Sequence, residues 1–120
     1  MNIRLFMQTA KTNGGGSYNL NTGEFNPSAG YMVSMQGHEQ RHKEFDEDTL
    51  LRYIANKSEL LADRDNFIGV WRTNDGEWCF DISQCVGNEV EAVELGLSRR
   101  QEAIWDCAKA EEIALGGAQG

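Results

Sequence analysis

Long apolar runs and proline are what this chain has least of. No apolar stretch approaches the roughly 18 residues that a membrane-spanning helix needs, and the first residues lack the apolar core and cleavage site of a signal peptide. One proline and a hydrophobic share of 40% are typical of a globular protein rather than a disordered one. The lack of a membrane-spanning stretch and of a signal peptide predicts a cytoplasmic protein. Because the chain has 120 residues, we expect one domain over residues 1–115 and a flexible tail at 116–120.

Cysteine and basic residues are also scarce. The three cysteines include no C-x-x-C pair, which argues against a disulfide framework and favours reduced thiols. The 11 basic residues are outnumbered by 19 acidic ones, so the net charge is -8. Nucleic-acid phosphates and anionic lipids are bound by clustered Lys and Arg, so we expect no direct binding to nucleic acid or membrane. An acidic surface suits a basic protein partner instead.

Local patterns predict the first strands and the loops around them. Residues 3–10 and 31–35 alternate between apolar and polar side chains, which is typical of strands. The glycines at 14–16 predict a flexible loop, and the polar stretch 37–45 predicts another.

Capping residues predict three helices, over 46–62, 88–95 and 98–113. An aspartate opens the first range and Asn88 opens the second, and both side chains can accept hydrogen bonds from the free N–H groups of a first helical turn. The glycine at position 96 is expected to separate the second helix from the third.

A hairpin is predicted around Asp75-Gly76, which lies between two hydrophobic strands. Counting outward from a two-residue turn places Thr73 opposite Trp78 and Trp71 opposite Phe80. One face of the hairpin would then carry a mainly aromatic set that forms most of the core: Phe67, Trp71, Trp78, Phe80 and Ile82.

The predicted elements follow the order strands, helix, hairpin, helices. This order favours an α+β fold, with an antiparallel sheet of about four to five strands and two or three helices packed on one face.

The two histidines, His38 and His42, lie in the string HEQRH, which has the letters of a zinc-protease helix. Glu59 could supply a third ligand. Against a metal site, Gly37 directly precedes the string, and basic residues at 41 and 43 would place positive charge beside a cation. We therefore interpret the stretch as a polar loop and keep a zinc hydrolase as an alternative.

Residues 92–105 have the letters of a helix-turn-helix motif, in which an alanine packs between two helices and Gly96 makes the turn. Glu102 stands where that motif requires a β-branched core residue. Several other glutamates would face the DNA. A transcriptional regulator is therefore a second alternative.

No catalytic set is visible in the rest of the chain. The cysteines have no family motif around them, and no pair of carboxylates is marked as acid and base. Asp81 and Asp106 lie near aromatic residues, but we expect surface or capping roles for both. We predict no catalytic residues and no cofactor.

Five stretches together resemble small uncharacterised accessory proteins of bacteriophages, plasmids and other mobile elements. They are residues 15–27 (GGSYNLNTGEFNP), 30–34 (GYMVS), 80–83 (FDIS), 91–92 (EA) and 101–106 (QEAIWD). The resemblance implies that this protein, too, is carried by such genetic elements. It assigns no catalytic residue.

The leading expectation is a small acidic, non-enzymatic protein-interaction module. A finer expectation is a mobile-element antagonist of a host nucleic-acid enzyme, of the anti-restriction or anti-CRISPR type. Acidic residues at the start of the first predicted helix are the expected contacts with the partner: Glu44, Asp46, Glu47 and Asp48. A homodimer that forms through the edges of the sheet is a further possibility for this protein.

Overall fold

A computed structural model describes residues 3–116, which form four helices and seven strands. The helices are α1 (Ile3–Asn13), α2 (Glu47–Asn56), α3 (Ser58–Leu61) and α4 (Glu89–Ser98). The strands are β1 (Gly15–Tyr18), β2 (Tyr31–Ser34), β3 (Gln40–His42), β4 (Asn66–Arg72), β5 (Trp78–Val86), β6 (Ala103–Asp106) and β7 (Glu111–Ala114). Among the described helices, none has both the length and the apolar character needed to cross a membrane. The predicted tail at 116–120 lies outside the described residues except for its first glycine.

All seven strands belong to one antiparallel sheet in the order β1-β4-β5-β2-β6-β7, with β3 beside β5. β2 and β3 both pair with β5, β2 along its second half and β3 along its first half. The α+β class is therefore confirmed. The predicted number of four to five strands is too low, because four short strands, β1, β3, β6 and β7, lie in segments that were predicted as loops or helix.

The N-terminal segment is helix α1, so the strand predicted at 3–10 is wrong. Phe6, Met7 and Ala10 are buried, a spacing that places all three on one face of a helix rather than on alternate faces of a strand. Burial of this stripe against the sheet outweighs the weak local alternation.

The two predicted loops both contain strands. The glycines of 14–16 lead into β1, where Gly15 pairs with Trp71 and a Cβ at Gly15 would lie 2.8 Å from the carbonyl oxygen of Val70. The polar stretch 37–45 contains β3, whose polar residues are held by backbone pairing with β5 rather than by apolar burial.

The predicted helix starts are confirmed at two positions. The Asp46 carboxylate accepts the Thr49 N–H at 2.8 Å and so caps α2. The Asn88 side chain accepts the Glu91 N–H at 3.1 Å and caps α4. The helix predicted over 46–62 is interrupted at Lys57, however, and continues as the short α3.

The predicted hairpin is confirmed, but its register is wrong by one residue. The turn has three residues, 74–76, rather than two. Gly76 has a φ of +86°, and its N–H donates to the Thr73 carbonyl at 3.0 Å. A left-handed glycine at the end of the loop is typical of three-residue hairpins. Because the extra loop residue shifts the pairing, every side chain of β4 moves to the opposite face from the one predicted.

Val70, not Trp71, therefore lies opposite Phe80. Trp71 pairs with Cys79 and faces away from the main core, with 39% of its surface exposed. Of the five residues predicted to share one face, Phe67 and Trp71 lie on the other.

The C-terminal segment is a β-hairpin, so the helix predicted over 98–113 is wrong. β6 pairs with β7, and Ile104 is buried while its neighbour Trp105 is 42% exposed. The tight turn between the strands includes Ala110 with a φ of +53°. α4 ends at Ser98 and continues past Gly96, which was predicted to end it.

Gly96 is buried in α4 because the β6–β7 hairpin packs directly against it. An added Cβ would lie 2.7 Å from Leu115 Cδ1 and 2.9 Å from Ile104 Cγ2. We expect Gly96→Ala to lower the free energy of unfolding by about 1 kcal/mol despite the better helix propensity of alanine. Urea denaturation of the wild type and the variant measures this difference in the free energy of unfolding. Gly87→Ala is the matched control, since no heavy atom lies within 4 Å of its Cβ position. A more stable Gly96→Ala protein would contradict this packing.

All four helices lie on one face of the sheet. α1, α2 and α3 contribute to a buried cluster with Ile68, Val70, Phe80 and Ile82, and α4 packs on Val33 and Ile104. The opposite face carries no helix in the described residues. Only a small buried cluster lies there: Met32, Phe67 and Cys107.

Candidate functional site

The helix-free face of the sheet contains a cavity of about 790 Å³, which we call the groove. This volume is within the range of ligand pockets. β1, β2, β4, β5 and the β6–β7 hairpin all contribute residues to its lining. The lining includes the following polar, aromatic and small residues: Ser34, Gly69, Trp71, Asp81, Ser83, Trp105 and Glu112.

Asp81 lies in the middle of β5 and lines the groove, although only 7% of its surface is exposed. The Ser34 hydroxyl donates a hydrogen bond to Asp81 Oδ2 at 3.0 Å. The Ser34 and Ser83 hydroxyl oxygens lie 3.3 Å apart and can share a hydrogen bond. The groove thus has a polar centre formed by facing residues of β2 and β5.

Burial raises the pKa of Asp81 to about 6. The hydrogen bond from Ser34 lowers this pKa, the negative charge of Glu39 raises it, and hydrogen bonding by the Trp71 side chain lowers it. Desolvation is the largest of these effects, because a buried carboxylate loses the water that stabilises its charge.

Gly69 leaves the space that the Asp81 carboxylate occupies. The two residues are paired across β4 and β5, and an added Cβ at Gly69 would lie 2.1 Å from Asp81 Oδ1. A glycine inside a strand often marks such a close approach. The position of Asp81 therefore depends on the absence of a side chain at residue 69.

No cation balances Asp81 within residues 3–116. The ion pairs found there join Arg4 to Glu47 and Arg52 to Asp48. Arg72 is the one basic residue among the described groove residues, and its guanidinium lies over the Trp78 ring, 5.9 Å from the centroid. The structure therefore holds a desolvated carboxylate without a basic partner.

Two tryptophans expose large surfaces at the groove. Trp71 lies on β4, two residues from Gly69. Trp105 lies on β6 and pairs with Glu112 of β7. Exposed aromatic rings beside a carboxylate can bind a ligand by stacking, by cation–π contact and by charge.

The acidic run predicted as a partner site lies at the start of α2. Glu44, Asp46 and Asp48 are exposed and Glu47 is half-buried. Glu47 pairs with Arg4 at 3.2 Å and Asp48 pairs with Arg52 at 3.1 Å. Three of the four side chains thus have a structural role, since Asp46 caps the helix.

The histidines do not form a zinc-binding helix. His42 lies in β3 with its ring 4.7 Å from that of Phe80, and His38 lies in the preceding loop. The His38 Nδ1 contacts Lys57 Nζ at 3.2 Å. Within the described part of the chain, no three His, Cys, Asp or Glu side chains are placed to hold a metal ion. The predicted alternative with Glu59 as third ligand is not formed.

The helix-turn-helix prediction is also wrong. The second helix of that motif would cover residues that form β6 here, so residues 92–105 have no recognition helix. The seven glutamates and aspartates of 89–112 add to the mismatch with DNA.

Among the described residues, no histidine lies within reach of the serine hydroxyls of the groove. Both histidines lie on the helix-covered side, so neither can act as a base for Ser34 or Ser83. The cysteines are free thiols. Burial raises the pKa of Cys79 to about 12 and that of Cys107 to about 11, which keeps both protonated at neutral pH. The arrangement is suited to binding a ligand.

Sequence reasoning missed Asp81 as a site residue and expected it at the surface. Its burial has a signal in the sequence: Asp81 lies between Phe80 and Ile82 in a strand, with Gly69 in the strand before it. Asp106, predicted at the surface or as a cap, is also buried, and its carboxylate accepts the Lys109 N–H at 3.1 Å in the turn between β6 and β7.

Comparison with known proteins adds no relative. No family model, curated protein or solved structure matches this chain.

Proposed function

We propose that the protein is a non-enzymatic interaction module that binds a basic protein partner through the groove, while the acidic run at the start of α2, on the helix-covered side of the sheet, attracts that partner over a longer range. The observation that carries the proposal is Asp81, a desolvated carboxylate that lines an open groove without a cation from the described chain. A charge buried in this way is unfavourable unless it is paired, and a basic partner would pair it.

The overall charge supports the same proposal. The net charge of -8 produces a field that attracts basic proteins over long range. The exposed carboxylates of Glu44, Asp46 and Asp48, with Glu47, would add to this attraction at one position. Charges at the rim of an interface mainly raise the association rate, whereas buried pairs slow dissociation.

The finer proposal is that the partner is a nucleic-acid enzyme of the host cell, and that the protein is a mobile-element antagonist of it. Two observations support this: the acidic charge, which matches a nucleic-acid-binding groove, and the resemblance to accessory proteins of mobile elements. An affinity purification from lysate of the natural host, with mass spectrometry and an activity assay of the recovered enzyme, tests it.

The acidic run can be tested by reversing its charge. In the triple variant Glu44→Lys/Glu47→Lys/Asp48→Lys, Asp46 remains as the helix cap. We expect the association rate with the recovered partner to fall by at least about tenfold at low salt, and the difference to shrink at high salt as exposed charges are screened. Stopped-flow fluorescence measures the rate.

The matched control reverses three exposed glutamates on α4, Glu89→Lys/Glu91→Lys/Glu94→Lys. It makes the same change in net charge and also places lysines near a helix start. If both triple variants slow association equally, net charge alone is responsible. The acidic run is then not part of the interface.

A further inference from the structure

We propose that the groove binds an arginine side chain of the basic partner, with the guanidinium paired to the Asp81 carboxylate and stacked on Trp71. This inference rests on the proposed function, since it names the chemical group by which the partner is recognised. The proposed ligand is a side chain within a protein, and the experiment below distinguishes it from a free small cation.

Charge is the first property of the groove that favours a cation. Asp81 is 7% exposed, and no lysine, arginine or histidine of the described chain pairs with it. The one basic residue that lines the groove, Arg72, places its guanidinium over Trp78, whose strand position faces the helix-covered side. A ligand that supplies the missing positive charge would recover the energy of desolvation.

Hydrogen-bonding capacity is the second property. An ionised carboxylate offers about four lone-pair sites on its two oxygens. Ser34 donates to Oδ2, and the Trp71 side chain lies near enough to lower the pKa of the carboxyl. Acceptor capacity therefore remains for a donor that enters from the groove. The hydrogen bond from Ser34 holds the carboxylate in one orientation, which lowers the entropy lost on binding.

The shape of the groove beside Asp81 favours arginine over lysine. A guanidinium is planar, donates two parallel hydrogen bonds to a carboxylate and stacks on aromatic rings. Trp71 is 39% exposed directly beside the Asp81 position, so a flat cation can meet both groups at once. An ammonium ion is more strongly hydrated and has no face to stack.

The groove also extends beyond Asp81 to a second aromatic and acidic pair. Trp105 is 42% exposed and lies opposite Glu112 on β7. Both residues line the same cavity of about 790 Å³ as Asp81. The groove thus offers a further contact for residues that flank the bound arginine, which favours a protein segment over a free cation.

The experiment titrates the full chain with three tripeptides capped at both ends: Gly-Arg-Gly, Gly-Lys-Gly and Gly-citrulline-Gly. Citrulline has nearly the shape of arginine without its charge. Nitrogen-15 NMR follows the backbone N–H of Gly69 and the indole N–H of Trp71. We expect the arginine peptide to shift both signals and to bind at least about tenfold more tightly than the citrulline peptide. The lysine peptide should bind more weakly than the arginine peptide.

Three variants sharpen the test. Asp81→Asn should weaken binding of the arginine peptide by at least about tenfold, and Trp71→Ala should weaken it as well. Glu94→Gln removes the same single charge from exposed α4 and should have little effect. Free arginine amide should bind more weakly than the tripeptide. The proposal would be overturned if the arginine and citrulline peptides bound with equal affinity, or if Asp81→Asn bound the arginine peptide as tightly as the wild type. It would also be overturned if arginine amide bound as tightly as the arginine tripeptide.

Measuring how the acidic-run variant and Asp81→Asn each bind the recovered partner separates the arginine site from the proposed function. If the acidic-run variant loses association but Asp81→Asn binds normally, the protein is a basic-partner module and the arginine site is wrong. If neither variant changes binding, both proposals fail.

Discussion

Gly69→Ala is expected to lower the free energy of unfolding by about 3 kcal/mol, the upper part of the range for overpacking in a dense core. The Cβ would lie 2.1 Å from Asp81 Oδ1, closer than any stable contact. The carboxylate would have to leave its position and its hydrogen bond from Ser34. The backbone of Gly69 does not have a positive φ, so alanine brings no backbone strain. Urea denaturation of both proteins measures the loss.

A double-mutant cycle isolates the cause of that loss. In an Asp81→Ala background the carboxylate is absent, and Gly69→Ala should then change stability by less than about 1 kcal/mol. The coupling between the two positions would be about 2 kcal/mol, within the range for residues in contact. An equal loss in both backgrounds would mean that the effect arises elsewhere, and the close approach of Gly69 and Asp81 would be wrong.

Asp81→Asn is expected to make the protein more stable at pH 8 and not at pH 3. The pKa of Asp81 is raised from 3.8 to about 6 in the folded state, so the folded protein binds more protons than the unfolded chain between these values. Stability from this group is therefore present below pH 4 and is lost as the pH rises through 6. The pKa difference corresponds to about 3 kcal/mol, which the neutral amide would recover.

The measurement is the free energy of unfolding of both proteins between pH 3 and pH 8. Other carboxylates titrate in this range too, but they titrate in both proteins, so the difference reports on Asp81. Glu94→Gln serves as the matched control on an exposed position and should follow the wild-type curve. A difference that is flat with pH would show that Asp81 is not desolvated.

A stabilising change that also weakens binding would indicate that Asp81 is kept at a cost to stability. Binding sites often contain groups that are unfavourable in the free protein and favourable in the complex. Together, the pH curve of Asp81→Asn and its affinity for the arginine peptide test this relation directly.

The elements that were predicted correctly depend on contacts between neighbours in the chain. Asp46 and Asn88 cap helices through N–H groups three residues away, and Gly76 makes a turn with its own neighbours. β2 was also predicted correctly, although Met32 and Val33, on opposite faces of the sheet, are both buried. Such patterns can be read from a short window of sequence.

The wrong predictions concern segments whose structure depends on distant partners. α1 forms where its apolar stripe meets the sheet, and β6 and β7 pair with each other and with β2 where helix propensity alone favours a helix. One extra residue in the turn at 74–76 was enough to reverse the faces of β4. In α1, β6 and β7, local propensity is weaker than tertiary burial. In β4, the length of the turn decided the outcome.

The sequence by itself determined the α+β class, the acidic charge, the helix starts and the presence of the hairpin, because these follow from composition and from contacts between near neighbours. Only the tertiary structure decided the groove. Ser34, Gly69 and Asp81 are separated by 35 and 12 positions in the chain, and they meet because β2, β5 and β4 are adjacent strands in one register. The register of β4 on β5 follows from the turn at 74–76. The pairing of β2 with β5 joins distant segments and depends on the packing of the whole sheet, which no local pattern encodes.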